Sequence, residues 1–183
     1  MEGNKILIVV DVQNDFVTGA LGSEEAKSIV PNVVQKMKSY KDDVLVFTRD
    51  THYEGYLDTE EGKNLPVPHC IFHTDGWQVV DEVVDAHHGR FCHIIDKETF
   101  GSVNVAHAIR AYRPAEIELV GLCTDICVVS NALLLKAFYP DARIYVDASC
   151  CAGTSPEAHD AAIRTMESCQ VHILNKGKEP WRA

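Results

Sequence analysis

Apolar residues along the chain fall into short continuous runs and longer periodic segments, and the two kinds alternate. Continuous runs rich in β-branched residues predict buried parallel strands, and they cover 6–10, 44–48, 91–95, 117–120, 142–146 and 171–174. Helical spacing and helix-start signals cover 30–37, 77–84, 103–112, 128–138 and 155–168. The alternation predicts an α/β fold: a single domain over 1–183, three α/β/α layers, and a mostly parallel, Rossmann-like sheet with right-handed crossovers.

Two local features refine this outline. Pro31 fits the first turn of the first long helix, where its missing N–H does no harm. Residues 53–76 have little periodicity and many glycines, prolines and charges. A loop of this length in a compact domain is usually functional or disordered, and the prolines favour a rigid one.

Cys127 follows the apolar strand at 117–120 and precedes a helical segment. Thr124 or Asp125 is a natural N-cap, which places Cys127 in the first helical turn. The positive end of the helix dipole there favours a thiolate, and the carboxyl ends of parallel strands form the crevice in which open α/β sheets bind ligands. The alternative is that Cys127 is a small buried hydrophobic residue, as most free cysteines are.

Two charged residues also follow predicted strands. Asp11 ends the first strand and Lys97 comes directly after the third. In a parallel sheet both can reach the same edge as Cys127, although they are far apart in sequence. Taken singly, Asp11 is equally consistent with a capping residue in a loop, and Lys97 with a solvated loop lysine.

Asp50 and His52 stand two residues apart after the second strand, so in extended backbone they point to the same side. A carboxylate and an imidazole sharing one side suit a divalent metal, and His69, with Glu61 as a further candidate, can fold back from the loop to join them. On these two residues alone, a plain loop acid and a hydrogen-bonded histidine are favoured over a metal site.

Composition narrows the classes of partner. The net charge of −10 argues against nucleic-acid binding, because few basic residues are present to replace phosphate counterions. No apolar stretch reaches the length of a membrane span, and no signal peptide is evident. Seven cysteines without metal-ribbon spacing predict reduced thiols and a cytoplasmic protein.

The chain resembles the isochorismatase-like cysteine hydrolases, and within them the nicotinamidases, over nearly its full length. Each motif is weak alone, but together and in this order they are specific for the superfamily. They are Asp11-x-Gln13-x-Asp15-Phe16, Asp50-x-His52, Pro68-His69-Cys70, Lys97 and the stretch from Gly121 to Val128.

The resemblance implies a catalytic triad of Asp11, Lys97 and Cys127, with Cys127 as the nucleophile. It also implies that the peptide bond between Leu122 and Cys123 is cis. In the family this geometry turns the backbone N–H of Cys123, together with that of Cys127, into an oxyanion hole.

The resemblance further implies that Asp50, His52 and His69 bind one divalent metal ion (zinc, iron or manganese), with Glu61 as a possible further ligand. That ion holds the ring nitrogen of the substrate. Phe16 and Leu65 match positions that flank the substrate ring, although many nicotinamidases have an aromatic residue where this chain has Leu65.

The expected function is therefore metal-dependent hydrolysis of nicotinamide to nicotinate and ammonia through a Cys127 thioester. The nearest alternative is another amidohydrolase of the superfamily, acting on a different small amide or a carbamoyl compound. Two alternatives of other classes are a non-enzymatic binding protein on this fold and a redox role for adjacent Cys150 and Cys151. The expected partners are a small amide and further copies of the chain in a homo-oligomer, with no nucleic acid and no membrane.

Overall fold

The computed structural model of the protein describes residues 4–182. Six strands form one sheet: β1 (Asn4–Val10), β2 (Val44–Asp50), β3 (His93–Lys97), β4 (Pro114–Leu122), β5 (Arg143–Ala152) and β6 (His172–Leu174). The helices are α1 (Asn14–Val17), α2 (Glu24–Ser39), α3 (Glu60–Asn64), α4 (Asp81–Ala86), α5 (Val103–Ile109), α6 (Val129–Phe138) and α7 (Pro156–Ser168). One turn of π-helix, Thr124–Val128, leads into α6.

The sheet has the order β3-β2-β1-β4-β5-β6, and every neighbouring pair is parallel. Helices α5, α6 and α7 cover one face, whereas α2 and α4 cover the other. The predicted three-layer α/β/α architecture is confirmed. This strand order reverses direction between β1 and β4, and ligands bind at such a switch point, outside the carboxyl ends of the strands.

Strand β1 shows why the central strands read as continuous apolar runs. Ile6, Ile8 and Val10 enter the core beneath α5, α6 and α7. Leu7 and Val9 enter the core beneath α2 and α4. Because successive side chains point to opposite faces and both faces are covered, every position from Ile6 to Val10 is apolar.

Several predicted boundaries were wrong. Pro31 lies inside α2 rather than in its first turn, because the helix begins at Glu24 under a cap from Ser23, whose hydroxyl accepts the N–H of Ala26 at 3.0 Å. Strand β3 begins at His93, and Phe91 is exposed. The segment 53–76 contains helix α3, which is capped by the hydroxyl of Thr59.

Gly121 is the one point where strand β4 departs from regular geometry in a way that only glycine tolerates. Its φ is +118°, and a Cβ built on it would lie 2.1 Å from the carbonyl oxygen of Val10. The register between β4 and β5 also shifts between Leu119 and Gly121. The close approach lets β4 stay paired with β1 while the chain turns towards the π-helical turn.

We therefore expect Gly121→Ala to lower the free energy of unfolding by at least about 2 kcal/mol, from backbone strain and the clash with Val10. Gly177→Ala is the matched control, since Gly177 also has a positive φ, of +78°, but its Cβ would meet open space. The control should cost about 1 kcal/mol. Urea denaturation measures both, and equal losses would show that the contact with Val10 contributes nothing.

Candidate active site

Lys97 is the centre of a buried cluster at the carboxyl edge of the sheet. Its Nζ lies 2.7 Å from Oδ2 of Asp11 and 3.0 Å from Oδ1 of Asp50. The same Nζ lies 3.4 Å from Sγ of Cys127. The three predicted triad residues are thus brought together, with Lys97 3%, Asp11 0% and Cys127 4% exposed. Asp50, which the resemblance assigned to the metal, touches the same lysine.

Asp11 is held in a strained position. Its φ is +48°, in the left-handed region that non-glycine residues seldom adopt. The hydroxyl of Thr48 donates to Oδ1 of Asp11 at 2.6 Å, and the backbone N–H of Asp11 donates to the carbonyl oxygen of Thr48 at 3.2 Å. Such strain persists only where the surroundings over-determine it, which is typical of active sites. Sequence reasoning missed Thr48, because its role depends on the pairing of β1 with β2.

The charges in this cluster shift one another's pKa values. Burial raises the pKa of the Asp11 carboxyl, although the charge of Lys97 opposes this. Burial alone would lower the pKa of Lys97, but the charge of Asp11 holds it well above its usual value. Burial, reinforced by the charge of Asp11, raises the pKa of the Cys127 thiol well above its usual value. This direction opposes the expected stabilisation of a thiolate by the helix dipole and favours a thiol at Cys127.

The turn that carries Cys127 differs from the one predicted. The residue before it is Cys123, and neither Thr124 nor Asp125 caps it. Thr124 Oγ1 is instead 2.8 Å from Nδ1 of His159. The Asp125 carboxylate accepts the backbone N–H of Thr154 at 2.8 Å and its hydroxyl at 2.6 Å. Both side chains turn away from the helix axis because they find partners in the segment that leads into α7 and in α7 itself.

The peptide bond between Leu122 and Cys123 is trans, so the cis bond implied by the resemblance is wrong for this structure. A trans bond avoids the cost of about 2.5–4 kcal/mol of a non-proline cis bond, and the irregular backbone lies at Gly121 instead. Cys123 and Cys127 both line the cleft described below. The oxyanion role of their backbone N–H groups stays a prediction.

A second cluster lies beside the first. One ligand atom from each of Asp50, His52, Glu61 and His69 falls within 4.8 Å of all the others. His52 Nε2 is 3.0 Å from Asp50 Oδ2 and 3.5 Å from Glu61 Oε1. His69 Nε2 is 3.5 Å from Asp50 Oδ2 and 3.7 Å from Glu61 Oε1. Glu61, the uncertain member of the predicted set, therefore reaches the same point as the other three.

These spacings fit a divalent metal ion. Ligands at about 2.0–2.1 Å in a tetrahedron stand about 3.3 Å from one another, which is close to the distances within the cluster. Nδ1 of His69 lies 2.8 Å from the carbonyl oxygen of Val67, so its N–H donates there and leaves Nε2 free as a ligand. The side chain of Tyr56 packs against both imidazoles, with ring centroids 4.6 Å from His52 and 5.1 Å from His69.

Electrostatics favour the metal-binding form of Asp50 but the protonated form of His52. Burial alone would raise the pKa of the Asp50 carboxyl, but hydrogen bonds from His52 and His69 and the charge of Lys97 hold it well below its usual range. Burial opposes protonation of His52, but its hydrogen bonds to Asp50 and Glu61 raise its pKa to about 9. An ionised carboxylate is ready to bind a cation, whereas His52 must lose a proton on binding.

Gln13 holds Asp50 in place. Its Nε2 donates to the carbonyl oxygens of Asp50 and Trp77, both at 2.9 Å, and its Oε1 accepts the N–H of Asp50 at 2.7 Å. Asn131 holds the π-helical turn that carries Cys127, because its side-chain amide donates to the carbonyl oxygen of Cys127 at 2.8 Å. Gln13 stands inside a motif that the sequence displays, but its bonding role required the tertiary fold, as did that of Asn131.

Cys127 and the second cluster line one cleft of about 1070 Å³, whereas Asp11 and Lys97 are not among its lining residues. Its lining includes the four clustered metal-ligand candidates, the thiol-bearing Cys123 and Cys127, and the predicted ring-flanking residues Phe16 and Leu65. Phe16 is buried and packs edge-on against His69 at 5.5 Å, whereas Leu65 is partly exposed at the rim. Cys150 and Cys151 are free thiols buried in the two cores and do not line this cleft.

Among residues 4–182, no helix is both long and apolar enough to cross a membrane.

Comparisons with known proteins identify the family and the fold. A family model described as the isochorismatase domain matches residues 5–176. The nicotinamidase of Schizosaccharomyces pombe is 26% identical over 222 aligned positions, which cover 98% of this chain and 96% of that protein. The solved nicotinamidase/pyrazinamidase PncA of Bacillus subtilis has a TM-score of 0.82 and 26% identity, covering 94% of this chain and 100% of that one. The pyrazinamidase of Pyrococcus horikoshii, solved in complex with zinc, has a TM-score of 0.81 and 27% identity. The match covers 93% of this chain and 98% of that one.

Because Lys97 is buried between two carboxylates, we expect the free energy of unfolding to depend on its charge. Lys97→Met removes the only cation between Asp11 and Asp50 in the described cluster and should lower the free energy of unfolding by about 3–5 kcal/mol. Lys178→Met, at an exposed position, should change it by less than about 0.5 kcal/mol. Urea denaturation at neutral pH measures both. A Lys97→Met protein as stable as the control would mean that the lysine does not compensate the buried carboxylates.

Proposed function

The chain belongs to the isochorismatase family, and from this premise we propose that it is a metal-dependent cysteine amidohydrolase that converts nicotinamide to nicotinate and ammonia. One observation carries the proposal. Cys127 and all four residues of the metal-ligand cluster line a single cleft, and Lys97 lies behind its wall, where it touches Asp11, Asp50 and Cys127. A nucleophile beside a site for a ring nitrogen suits an aromatic amide whose ring contains such a nitrogen.

Family membership makes the chain an amide-hydrolysing enzyme of the hydrolase class. The choice of nicotinamide is supported by the relatives named nicotinamidase and pyrazinamidase. The metal is supported by the donor set of this chain and by the zinc in the Pyrococcus structure. The apolar side chains of Phe16 and Leu65 in the cleft are suited to the faces of a flat ring.

In the first half of the reaction, the Asp11 carboxylate takes the proton of the Cys127 thiol as the sulfur attacks the amide carbon. Lys97 stays protonated, 3.4 Å from the sulfur, and stabilises the negative charge that develops there. The backbone N–H groups of Cys123 and Cys127 stabilise the oxyanion, a contribution worth about 2.7–4 kcal/mol for one such donor.

Asp11 then gives its proton to the leaving nitrogen, and the C–N bond breaks to release ammonia. The acyl group remains on Cys127 as a thioester. In the second half, Asp11 takes a proton from water, the resulting hydroxide attacks the thioester carbon, and the C–S bond breaks. The product leaves as a carboxylic acid, and Cys127 recovers its proton.

The metal-ligand cluster has a binding role in this scheme. Asp50, His52, Glu61 and His69 would hold the divalent ion, which supplies a Lewis-acid contact for the ring nitrogen of the substrate. These side chains come from β2, the segment after it, helix α3 and the segment after α3.

Cys127→Ala should lower nicotinamide turnover by at least about 10⁴-fold, because it removes the nucleophile on which the covalent route depends. Ammonia release by the purified protein measures this. Cys169→Ala, which removes an exposed thiol, is the control and should keep wild-type turnover. A Cys127→Ala enzyme with near-normal turnover would exclude the thioester mechanism.

His69→Ala should lower metal affinity by at least about 100-fold, the upper end of the losses seen for outer-shell partners of a metal. The wild-type protein should retain about one zinc or manganese ion per chain after dialysis, measured by elemental analysis. Its turnover should fall with a chelator and return when the metal is added back. The exposed His88 provides the control, since His88→Ala should keep both metal and turnover.

Two results of this experiment would redirect the assignment. Full turnover of nicotinamide without bound metal would reject the role of the Asp50 cluster. Absence of both metal and nicotinamide turnover would favour an amidohydrolase of the same family that acts on carbamoyl compounds.

A further inference from the structure

A column of buried polar groups runs from the turn that carries Cys127 to the opposite side of α7. Thr124 and His159 are fully buried, and the side chain of Glu179 is likewise inaccessible. Thr124 Oγ1 lies 2.8 Å from Nδ1 of His159, and Nε2 of His159 lies 3.4 Å from Oε1 of Glu179. None of these residues lines the cleft, and the proposed mechanism leaves all three without a role.

The far end of the column is held by the segment 177–182, which follows the part of the chain matched by the family model. Glu179 accepts the backbone N–H of Gly177 at 3.1 Å and pairs with Arg182. Trp181 packs edge-on against the His159 ring, with centroids 5.0 Å apart, and donates to the carbonyl oxygen of Cys151 at 3.3 Å. This segment thus surrounds the histidine with an acceptor and an apolar wall.

The surroundings select one neutral tautomer of His159. Burial, the largest effect, lowers the pKa of the ring, so His159 is neutral and has one donor and one acceptor nitrogen. Burial alone would raise the pKa of Glu179, but hydrogen bonds from the backbone and from Arg182 hold it below its usual value. Nε2 lies 3.4 Å from the Glu179 carboxylate, although the two atoms do not meet hydrogen-bond geometry. Because a carboxylate only accepts, this proximity favours the proton on Nε2, which leaves Nδ1 to accept the hydroxyl of Thr124 at 2.8 Å.

Thr124 connects this column to the nucleophile. It is the first residue of the π-helical turn, and Cys127 is the fourth. The carbonyl oxygen of Cys123 accepts the N–H groups of both Ile126 and Val128 at 3.1 Å, so the turn is closed by its own backbone. Asp125 anchors it to Thr154 near the surface. The fully buried side-chain anchor beside it is the hydroxyl of Thr124.

We propose that His159, oriented by Glu179, is a positioning residue that fixes the turn through Thr124 and thereby sets the Cys127 sulfur against Lys97 and Asp11. The proposal rests on the nucleophilic role of Cys127 in the proposed function. His159 touches neither substrate nor metal in this scheme. Its effect is on the placement of the sulfur, where an error of about 1 Å can cost 100-fold in rate.

The test compares His159→Leu, Thr124→Val and the double variant. For each single variant, we expect kcat for nicotinamide to fall about 10- to 100-fold, while KM changes less than about 2-fold. The double variant should lose no more than the larger single loss, because both changes break the same contact. His159→Asn, whose side-chain amide can take the place of Nδ1, should recover most of kcat.

Alkylation of Cys127 by iodoacetamide provides a readout that needs no substrate. Its rate, followed by mass spectrometry with Cys127→Ala as the blank, should fall in the same order as kcat. If the wild-type protein does not hydrolyse nicotinamide, the alkylation rates still decide the positioning role, so failure of the proposed function and failure of this inference are distinguishable.

Met37→Ala, a core change in α2 on the other face of the sheet, controls for lost stability. It should lower Tm while kcat and the alkylation rate stay at the wild-type level. The inference is overturned if His159→Leu changes kcat and alkylation no more than Met37→Ala does. It is also overturned if the losses of His159→Leu and Thr124→Val multiply in the double variant, since independent effects would exclude a shared contact.

Discussion

The structure depends on one buried cation between two buried carboxylates. Lys97 lies within 3.0 Å of both Asp11 and Asp50, and all three side chains are buried. Removing charged groups from water is costly, and the cost is repaid only when each charge has close partners of opposite sign. Once His52 has lost its proton, the single charge of Lys97 compensates only one of the three carboxylates of Asp11, Asp50 and Glu61. A divalent ion between Asp50, His52, Glu61 and His69 would complete the balance, which gives a physical reason for the two clusters to lie side by side.

The parallel sheet makes this concentration of charge possible. Strands β1, β2, β3 and β4 end at the same edge of the sheet. A residue of the site lies at the end of each strand or a few residues beyond it. Bringing these groups together strains the backbone at two positions. Asp11 adopts a left-handed conformation directly after β1, and Gly121 lies close against the backbone of Val10. Both departures from regular strand geometry flank the cluster, which is where strain of this kind is expected to be kept for function.

Sequence reasoning reached the features that depend on local pattern. The apolar runs located all six strands, and the charged residues that follow these runs placed Asp11, Asp50 and Lys97 at the carboxyl ends of their strands. What it missed depends on contacts between distant segments. The roles of Thr48, Gln13 and Asn131 depend on how strands and helices pair, and Thr124 was assigned to a cap because His159 is far away in sequence. Pro31 was misplaced because the strong cap at Ser23, together with burial of the α2 face, outweighs the cost of an internal proline.

The raised pKa of the Cys127 thiol is the departure from expectation with the largest consequence for the proposed chemistry. The sequence rule that a helix start favours a thiolate assumes partial exposure to water, whereas this sulfur is buried next to the carboxylate of Asp11, which raises the pKa of the thiol. A thiol with a raised pKa reacts more slowly with oxidants and alkylating reagents, because less of it is present as the thiolate. Once deprotonated, it is a stronger nucleophile than a low-pKa thiolate, because nucleophilicity rises with pKa. In the proposed mechanism, Asp11 takes that proton and Lys97 stabilises the charge that results. In the proposed mechanism, the Cys127 thiolate therefore forms as the sulfur attacks the substrate, whereas the raised pKa favours the thiol in the free protein.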